Sequence, residues 1–192
     1  MGVLSEGTAR LAVERLESMM GPVVLQSGAP LAQELAGLAP DSLLSVEPGE
    51  DDRVALLDGY GRPTGIRFEG VPQGQELNVL LDDIVAVSRG STALTPLGRM
   101  EAQTLPEGLS LWVLSTPACT RCAQAARLAH AIALESKGRL TATVVDVSDR
   151  PELITRFGAT TVPWFVVEER VSFAGPLPEL VLLQRLAGAA ED

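Results

Sequence analysis

The chain has 192 residues, of which 46% are hydrophobic and 21% are charged, and its formal net charge is −10. This length fits one large domain or two of about 100 residues each, and the composition excludes a disordered protein. Acidic residues outnumber basic ones by 25 to 15 and no basic cluster is present, which argues against nucleic acid as a partner because it is bound through clustered Lys and Arg.

The first twenty residues predict an amphipathic helix with charges along its polar face. They do not form a basic stretch followed by an apolar block, so the sequence predicts no signal peptide. The uncharged apolar runs are all shorter than the roughly 18 to 20 residues that a membrane span needs. We therefore expect a cytoplasmic protein without a membrane partner, in a compartment where structural disulfides do not persist.

The first half alternates between strand and helix patterns. Its predicted elements are a strand and a helix over 21–39, a strand over 42–48, two strands around a Gly- and Pro-rich turn over 53–70, and a helix over 74–88. Residues 89–108 are rich in Gly, Pro and Thr and predict a boundary that contains a short helix over 95–104.

The second half repeats this order. Its predicted elements are a buried strand over 109–116, a helix over 122–138, a strand over 140–147, a helix over 149–158, a hairpin over 164–175 and a helix over 178–189. The segment IRFEGVP (66–72) is echoed by VSFAGPL (171–177), and matching elements flank both segments, which indicates a duplicated unit. We predict two domains, 1–92 and 109–192, joined by a linker over 93–108 that carries the short helix.

Cys119 and Cys122 are the only cysteines, and they lie between a predicted strand and a predicted helix. This places Cys119 at a helix N-terminus, where free N–H groups and the macrodipole favour an anion and lower the pKa of a thiol. Cys122 lies one turn further on and can displace a mixed disulfide. We predict a redox-active pair without a bound cofactor, in which Cys119 attacks, Cys122 resolves and Arg121 adds positive potential.

Two alternatives remain open for the pair. A structural metal site needs about four ligands, and the chain offers two cysteines and the single His130, so a metal ion or iron–sulfur cluster would have to be shared between two chains. The cysteines could also pack as small apolar residues. His130 lies two helical turns past Cys122, too far to act as its base, and we expect it at the surface or half-buried.

The segment TTVPWFVV (160–167) places Pro163 at the mouth of a strand, where a proline removes a ladder donor and is usually excluded. A cis peptide bond between Val162 and Pro163 would account for this position.

Together these motifs resemble the thioredoxin and glutaredoxin fold, through CTRC (119–122), PELITRFGATTVP (151–163) and FAG (173–175). With GIRFEGVPQGQEL (65–77), the whole chain is similar to the N-terminal domain of the flavoprotein component of alkyl hydroperoxide reductase and to two-fold protein disulfide oxidoreductases. The resemblance implies an α/β protein with two tandem thioredoxin-like folds. The first fold would be degenerate, without cysteines and with Arg53 where a cis-proline is expected, and the second would carry the C-x-x-C pair.

The resemblance also implies a function. It implies a thiol–disulfide oxidoreductase that reduces protein disulfides, a peroxiredoxin among them, and that a flavoprotein disulfide reductase or glutathione recharges. Val162 and Pro163 would hold the substrate backbone, and Glu76, from the first fold, would lie near the redox pair and modulate it. The alternative is a non-catalytic thioredoxin-like adaptor or peptide-binding module.

Overall fold

The computed structural model describes residues 2–148 and 150–189. Residues 1, 149 and 190–192 of the predicted domains lie outside the described residues. Residue 149 is also the first residue of the predicted helix over 149–158. The strands are β1 (Val23–Gln26), β2 (Leu44–Glu47), β3 (Arg53–Asp58), β4 (Pro63–Glu69), β5 (Leu109–Ser115), β6 (Leu140–Asp146), β7 (Trp164–Val167) and β8 (Val171–Ala174). The helices are α1 (Glu6–Leu16), α2 (Pro30–Leu38), α3 (Gly74–Arg89), α4 (Pro96–Thr104), α5 (Thr120–Glu135), α6 (Pro151–Arg156) and α7 (Glu179–Gly188).

Local sequence explains where these elements begin and end. Thr95 caps α4, because its hydroxyl accepts the Gly98 N–H at 3.0 Å and Pro96 supplies the first helical residue. Helix α3 ends at Gly90, whose φ of 61° lies in the left-handed region that glycine tolerates. Strand β5 is an almost continuous apolar run because helices cover both of its faces.

The eight strands form one sheet in the order β2-β1-β3-β4-β6-β5-β7-β8. The first four strands (with α1 to α3, the first repeat) and the last four (with α4 to α7, the second repeat) follow the same internal order. The repeats meet where β4 pairs in parallel with β6, from Ile66 opposite Ala142 to Glu69 opposite Val145. The duplication that the sequence indicated is therefore visible in the topology, and α4 takes the place in the second repeat that α1 takes in the first.

The two faces of the sheet are covered unequally. Six helices, all except α6, contribute buried residues to one continuous core that extends across both repeats. Helix α6 packs alone on the other face, over a smaller cluster that includes Leu114, Val145 and Val166. The first repeat has no counterpart of α6, because only residues 48–52 connect β2 to β3, whereas residues 147–163 connect β6 to β7. None of the described helices is long and apolar enough to cross a membrane.

Strand register corrects one sequence-based expectation. Arg53 pairs with Glu69 just as Trp164 pairs with Ala174, so Arg53 is the counterpart of Trp164. Asp52 is the residue at the cis-proline position, because its carbonyl accepts the Gly70 N–H at 2.8 Å as the Pro163 carbonyl accepts the Gly175 N–H at 3.0 Å. The prediction of Arg53 was wrong by one residue, a shift that only strand pairing reveals.

Candidate active site at the Cys119–Cys122 pair

The two cysteines lie in the turn and first helical turn that follow β5. Cys119 is the N-cap of α5 and its Sγ accepts the Cys122 N–H at 3.1 Å. The two residues form a disulfide, with their Cα atoms 5.2 Å apart. When the pair is reduced, the same helix N-terminus offers its N–H groups to a Cys119 thiolate. The geometry therefore accommodates both a disulfide and a stabilised thiolate.

The two sulfur-bearing residues differ in exposure. Cys122 is 0% exposed, whereas Cys119 is half-buried in the turn. A second molecule can therefore reach Cys119 but not Cys122. Attack by Cys119 and resolution by Cys122 require such a difference in exposure, and that assignment of roles stays a prediction.

The loop before β7 lies beside the pair. The Val162–Pro163 peptide bond is cis, as the sequence indicated. Trp164 pairs with Leu114, which places Pro163 next to Ser115 at the end of β5. Pro163 is buried, while Val162 is half-buried and its backbone makes no hydrogen bond with any described backbone group. The Val162 carbonyl accepts the Thr161 hydroxyl at 3.3 Å, which leaves its N–H and one carbonyl lone pair available to an extended chain.

Arg121 connects three segments at this site. Its Nη2 donates to the Gly175 carbonyl at 3.4 Å, and the Gly175 N–H donates to the Pro163 carbonyl at 3.0 Å. A second cis peptide bond joins Gly175 to Pro176. Arg121 is exposed, so its charge lies at the mouth of the site.

The first repeat reaches the site through the N-terminus of α3. The Gln75 N–H donates to the Pro117 carbonyl at 2.8 Å, two residues before Cys119. Gly74 permits this approach, because its φ is 53° and a Cβ there would lie 2.6 Å from the Pro117 oxygen. The turn that carries the cysteines is therefore packed directly against the other repeat.

Glu76, in the first turn of α3, is only 4% exposed. The pKa of its carboxyl is raised from 4.5 to about 7, chiefly by burial; a hydrogen bond from Ser115 lowers it in part, and the nearby Asp146 carboxylate contributes to the rise. Its buried Oε1 has no hydrogen-bond partner among the described residues. Sequence reasoning placed Glu76 near the pair but missed Ser115 and Asp146. These two residues are partners in the parallel pairing of β5 with β6, at the carboxyl ends of the two strands.

His130 differs from its expected environment. It is 0% exposed, and its Nδ1 lies 2.7 Å from Oδ2 of Asp83 on α3. The expectation of a surface or half-buried position was wrong, because α3 from the other repeat covers this face of α5. Among the described residues, no cluster of three or more His, Cys, Asp or Glu side chains is arranged to hold a metal ion.

The first repeat has alanines at the positions of the cysteines. Ala29 is the N-cap of α2 and Ala32 is its third residue, as Cys119 and Cys122 are in α5. Both alanines are buried, at 0% and 1% exposure. The first repeat therefore has the helix geometry of the site without its chemistry.

A cavity of about 750 Å³ lies away from the cysteines, on the sheet face where the first repeat lacks a helix. Its walls include Arg53, Arg67, Trp112, Thr143 and Leu153. It does not contain either cysteine, so the redox chemistry belongs to the open surface around Cys119 and not to this cavity.

Comparison with known proteins agrees with this geometry. Residues 110–187 match the family described as thioredoxin domain. A mutant of the alkylhydroperoxide reductase AhpF from Enterococcus faecalis superposes with a TM-score of 0.83 at 22% identity, over 96% of this chain and 99% of that chain. A protein disulfide oxidoreductase from Aeropyrum pernix superposes with a TM-score of 0.86 at 22% identity, over 99% of this chain and 96% of that chain.

No curated protein sequence matches the chain. The structural matches confirm the fold class and the resemblance that the sequence motifs indicated. The chain therefore has an α/β fold of two tandem thioredoxin-like units, of which the first has no cysteine and the second, which is similar to the thioredoxin domain family, carries the Cys119–Cys122 pair.

Proposed function

We propose that this protein is a thiol–disulfide oxidoreductase that reduces protein disulfides through Cys119 and Cys122. The observation that carries the proposal is the unequal exposure of the pair at the start of α5, with Cys119 open to a second molecule and Cys122 fully buried one turn behind it. Helix N-termini stabilise the thiolate that such a reaction needs.

The reaction moves two electrons in two displacements. The Cys119 thiolate attacks one sulfur of the substrate disulfide, forms a mixed disulfide and expels the other substrate sulfur as a thiolate. The Cys122 thiolate then attacks Sγ of Cys119, closes the Cys119–Cys122 disulfide and expels the second substrate thiolate. A separate flavoprotein disulfide reductase or glutathione returns two electrons to the pair.

Val162 and Pro163 hold the substrate backbone in this proposal. The Val162 N–H has no partner among the described backbone groups, and the next residue, Pro163, lies beside Ser115 at the end of β5. An extended segment that pairs with Val162 lies over Cys119 in this proposal, because Pro163 lies next to Ser115, the last residue of the strand that leads into the cysteine turn. Main-chain pairing of this kind gives affinity for many sequences.

Glu76 modulates the pair as a proton acceptor. With a pKa of about 7, its carboxyl is divided between the charged and neutral forms near neutral pH. The charged form accepts the proton of the Cys122 thiol, which leaves a Cys122 thiolate to attack Sγ of Cys119, and the neutral form returns that proton to the Cys122 sulfur when the disulfide is reduced. The first repeat, residues 1–92, thus contributes a proton carrier to a second unit, residues 109–192, across the linker 93–108.

The partners follow from the same proposal. Substrates are disulfide-bonded proteins, and the similarity to an alkylhydroperoxide reductase favours a peroxiredoxin among them. The reaction requires a compartment in which a reductase keeps the pair reduced, which favours the cytoplasm.

Serine variants test the proposal. With a disulfide-bonded protein as substrate and dithiothreitol as reductant, we expect Cys119→Ser to lose all catalysed turnover. Cys122→Ser, reduced beforehand and mixed with the substrate after the dithiothreitol is removed, should accumulate a mixed disulfide between Cys119 and the substrate, visible by mass spectrometry, because the resolving thiol is missing. Full activity of Cys119→Ser would contradict the proposal, and a partner complex that survives replacement of both cysteines would favour the adaptor instead.

A further inference from the structure

Arg121 lies where an incoming substrate must pass. It is exposed on the first turn of α5, between the two cysteines, and donates to the Gly175 carbonyl at 3.4 Å. The Gly175 N–H in turn donates a hydrogen bond to the carbonyl of Pro163, the residue after the proposed substrate-binding Val162. The guanidinium therefore lies where the first turn of α5, the loop before Pro163 and the end of β8 meet.

The ion pairs among the described residues do not include Arg121. Its contact with the Gly175 carbonyl uses one of the five donors of a guanidinium, and the others remain available. Arg121 can thus bind a carboxylate without first breaking an ion pair within the protein.

Arg121 is the one exposed charged side chain of the segments that contribute the site residues described above, because Glu76, which adjoins the first of these segments, is buried. The segments are 72–75, 116–122, 159–163 and 175–178, and Arg121 is the one charged residue in these stretches of sequence. The other side chains are neutral and mostly small or apolar. A substrate segment that lies across this surface contacts one cation and no anion from these segments. Arg121 therefore favours a substrate that carries a negative charge there.

The net charge of −10 acts in the opposite direction, because it repels an acidic partner at a distance. Physiological salt limits that repulsion to about 8 Å, whereas a contact pair is screened much less. Once the substrate is docked, the local contact therefore decides the preference. The expected size is about two- to fivefold, which corresponds to about 0.4 to 1 kcal/mol for an exposed ion pair.

We propose that Arg121 is a specificity-determining residue that selects disulfide substrates with an acidic side chain next to the attacked cysteine. This inference rests on the proposed function of the Cys119–Cys122 pair. The acidic side chain pairs with the guanidinium as the mixed disulfide with Cys119 forms, and it is released with the substrate when Cys122 closes the intramolecular disulfide.

Short peptides that differ by one side chain provide the test. Each peptide carries one cysteine as a pyridyl mixed disulfide, with Glu, Gln or Lys beside that cysteine. The reduced protein attacks the peptide sulfur, expels thiopyridone and then releases the peptide thiol, so two electrons leave the dithiol. Thiopyridone absorbance gives the rate constant for each peptide at neutral pH and low salt.

The variants separate charge recognition from thiol reactivity. Arg121→Gln and Arg121→Glu are compared with wild type by the ratio of the Glu-peptide rate to the Gln-peptide rate within each protein. This ratio cancels any change in the reactivity of Cys119 itself. Arg10→Gln is the matched control, because it removes the same charge from α1, where the Arg10 side chain is 84% exposed.

For wild type and Arg10→Gln we expect Glu to be preferred over Gln by about two- to fivefold, with the preference declining as salt is added. Arg121→Gln should bring the ratio to about one, and Arg121→Glu should favour the Lys peptide. Equal rates for all peptides in wild type, or a preference unchanged in Arg121→Gln, would overturn the inference and leave the proposed function intact. If reduced wild type reacts with no peptide, the proposed function fails, and the inference fails with it.

Discussion

Replacing Glu76 with Gln should make the protein more stable at high pH than wild type. In the folded protein the pKa of the Glu76 carboxyl is about 7, against an ordinary value of 4.5, because burial disfavours the charged form. Between these two values the folded state holds a proton that the unfolded chain has released, so wild-type stability falls as pH rises from 4.5 through 7. Above pH 7 the loss is complete and constant.

The structure gives the size of this loss. A rise in pKa from 4.5 to about 7 corresponds to about 3 kcal/mol, at about 1.4 kcal/mol for each tenfold change in proton affinity. Glu76 is 4% exposed, so solvent screening removes little of it. The neutral Gln side chain avoids this loss. The free energy of unfolding of Glu76→Gln minus that of wild type should therefore increase by about 3 kcal/mol between pH 5 and pH 8.

Urea unfolding at pH 5, 6, 7 and 8 measures this difference, with the Cys119–Cys122 disulfide intact so that thiol titration does not contribute. Glu14→Gln is the matched control, because it removes a carboxyl whose side chain on α1 is 63% exposed. A stability difference between Glu76→Gln and wild type that stays constant from pH 5 to pH 8 would refute the reasoning, because the carboxyl would then titrate as it does in the unfolded chain.

Two further predictions concern the contact between the repeats. Gly74→Ala should destabilise the protein by about 1 kcal/mol or more and shift the reduction potential of the pair, because a Cβ at φ 53° would lie 2.6 Å from the Pro117 oxygen. Gly37→Ala is the control: a Cβ there would lie in open space on α2, so this variant should stabilise the protein by about 0.5 to 1 kcal/mol. Denaturant unfolding and a glutathione redox titration compare the two variants. Asp83→Asn should cost about 1 to 3 kcal/mol in urea unfolding, because it weakens the buried 2.7 Å contact with His130; equal stability of this variant and wild type would contradict that role.

Arg121 shows how far sequence could go within the site. Cys119, Arg121 and Cys122 lie within four consecutive positions, so a helix that begins there brings them onto one turn. The apolar run before them predicts a strand. The contact between Arg121 and Gly175 joins residues 54 positions apart, and no periodicity in the chain encodes it. Sequence reasoning therefore identified the charge but not its place between the Pro163 loop and the end of β8.

The cis-proline position illustrates the limit of strand patterns. The apolar run VALL identifies β3, but it does not fix where the strand begins relative to its partner. Only the pairing of Arg53 with Glu69 shows that Asp52, and not Arg53, is the counterpart of Pro163. A one-residue error is expected there, because hydrogen-bond register is a property of two strands together.

The sequence by itself indicated the order of helices and strands, the duplication, and the position of Cys119 and Cys122 at the start of a helix, since each follows from local patterns or from the repetition of such patterns along the chain. Tertiary structure alone decided that Glu76 lies buried against the Pro117 turn and that His130 pairs with Asp83. Both results come from the docking of α3 on α5, which removes water from side chains that local sequence would leave exposed. Burial of a polar group depends on what folds over it, and in this protein the covering helix belongs to the other repeat.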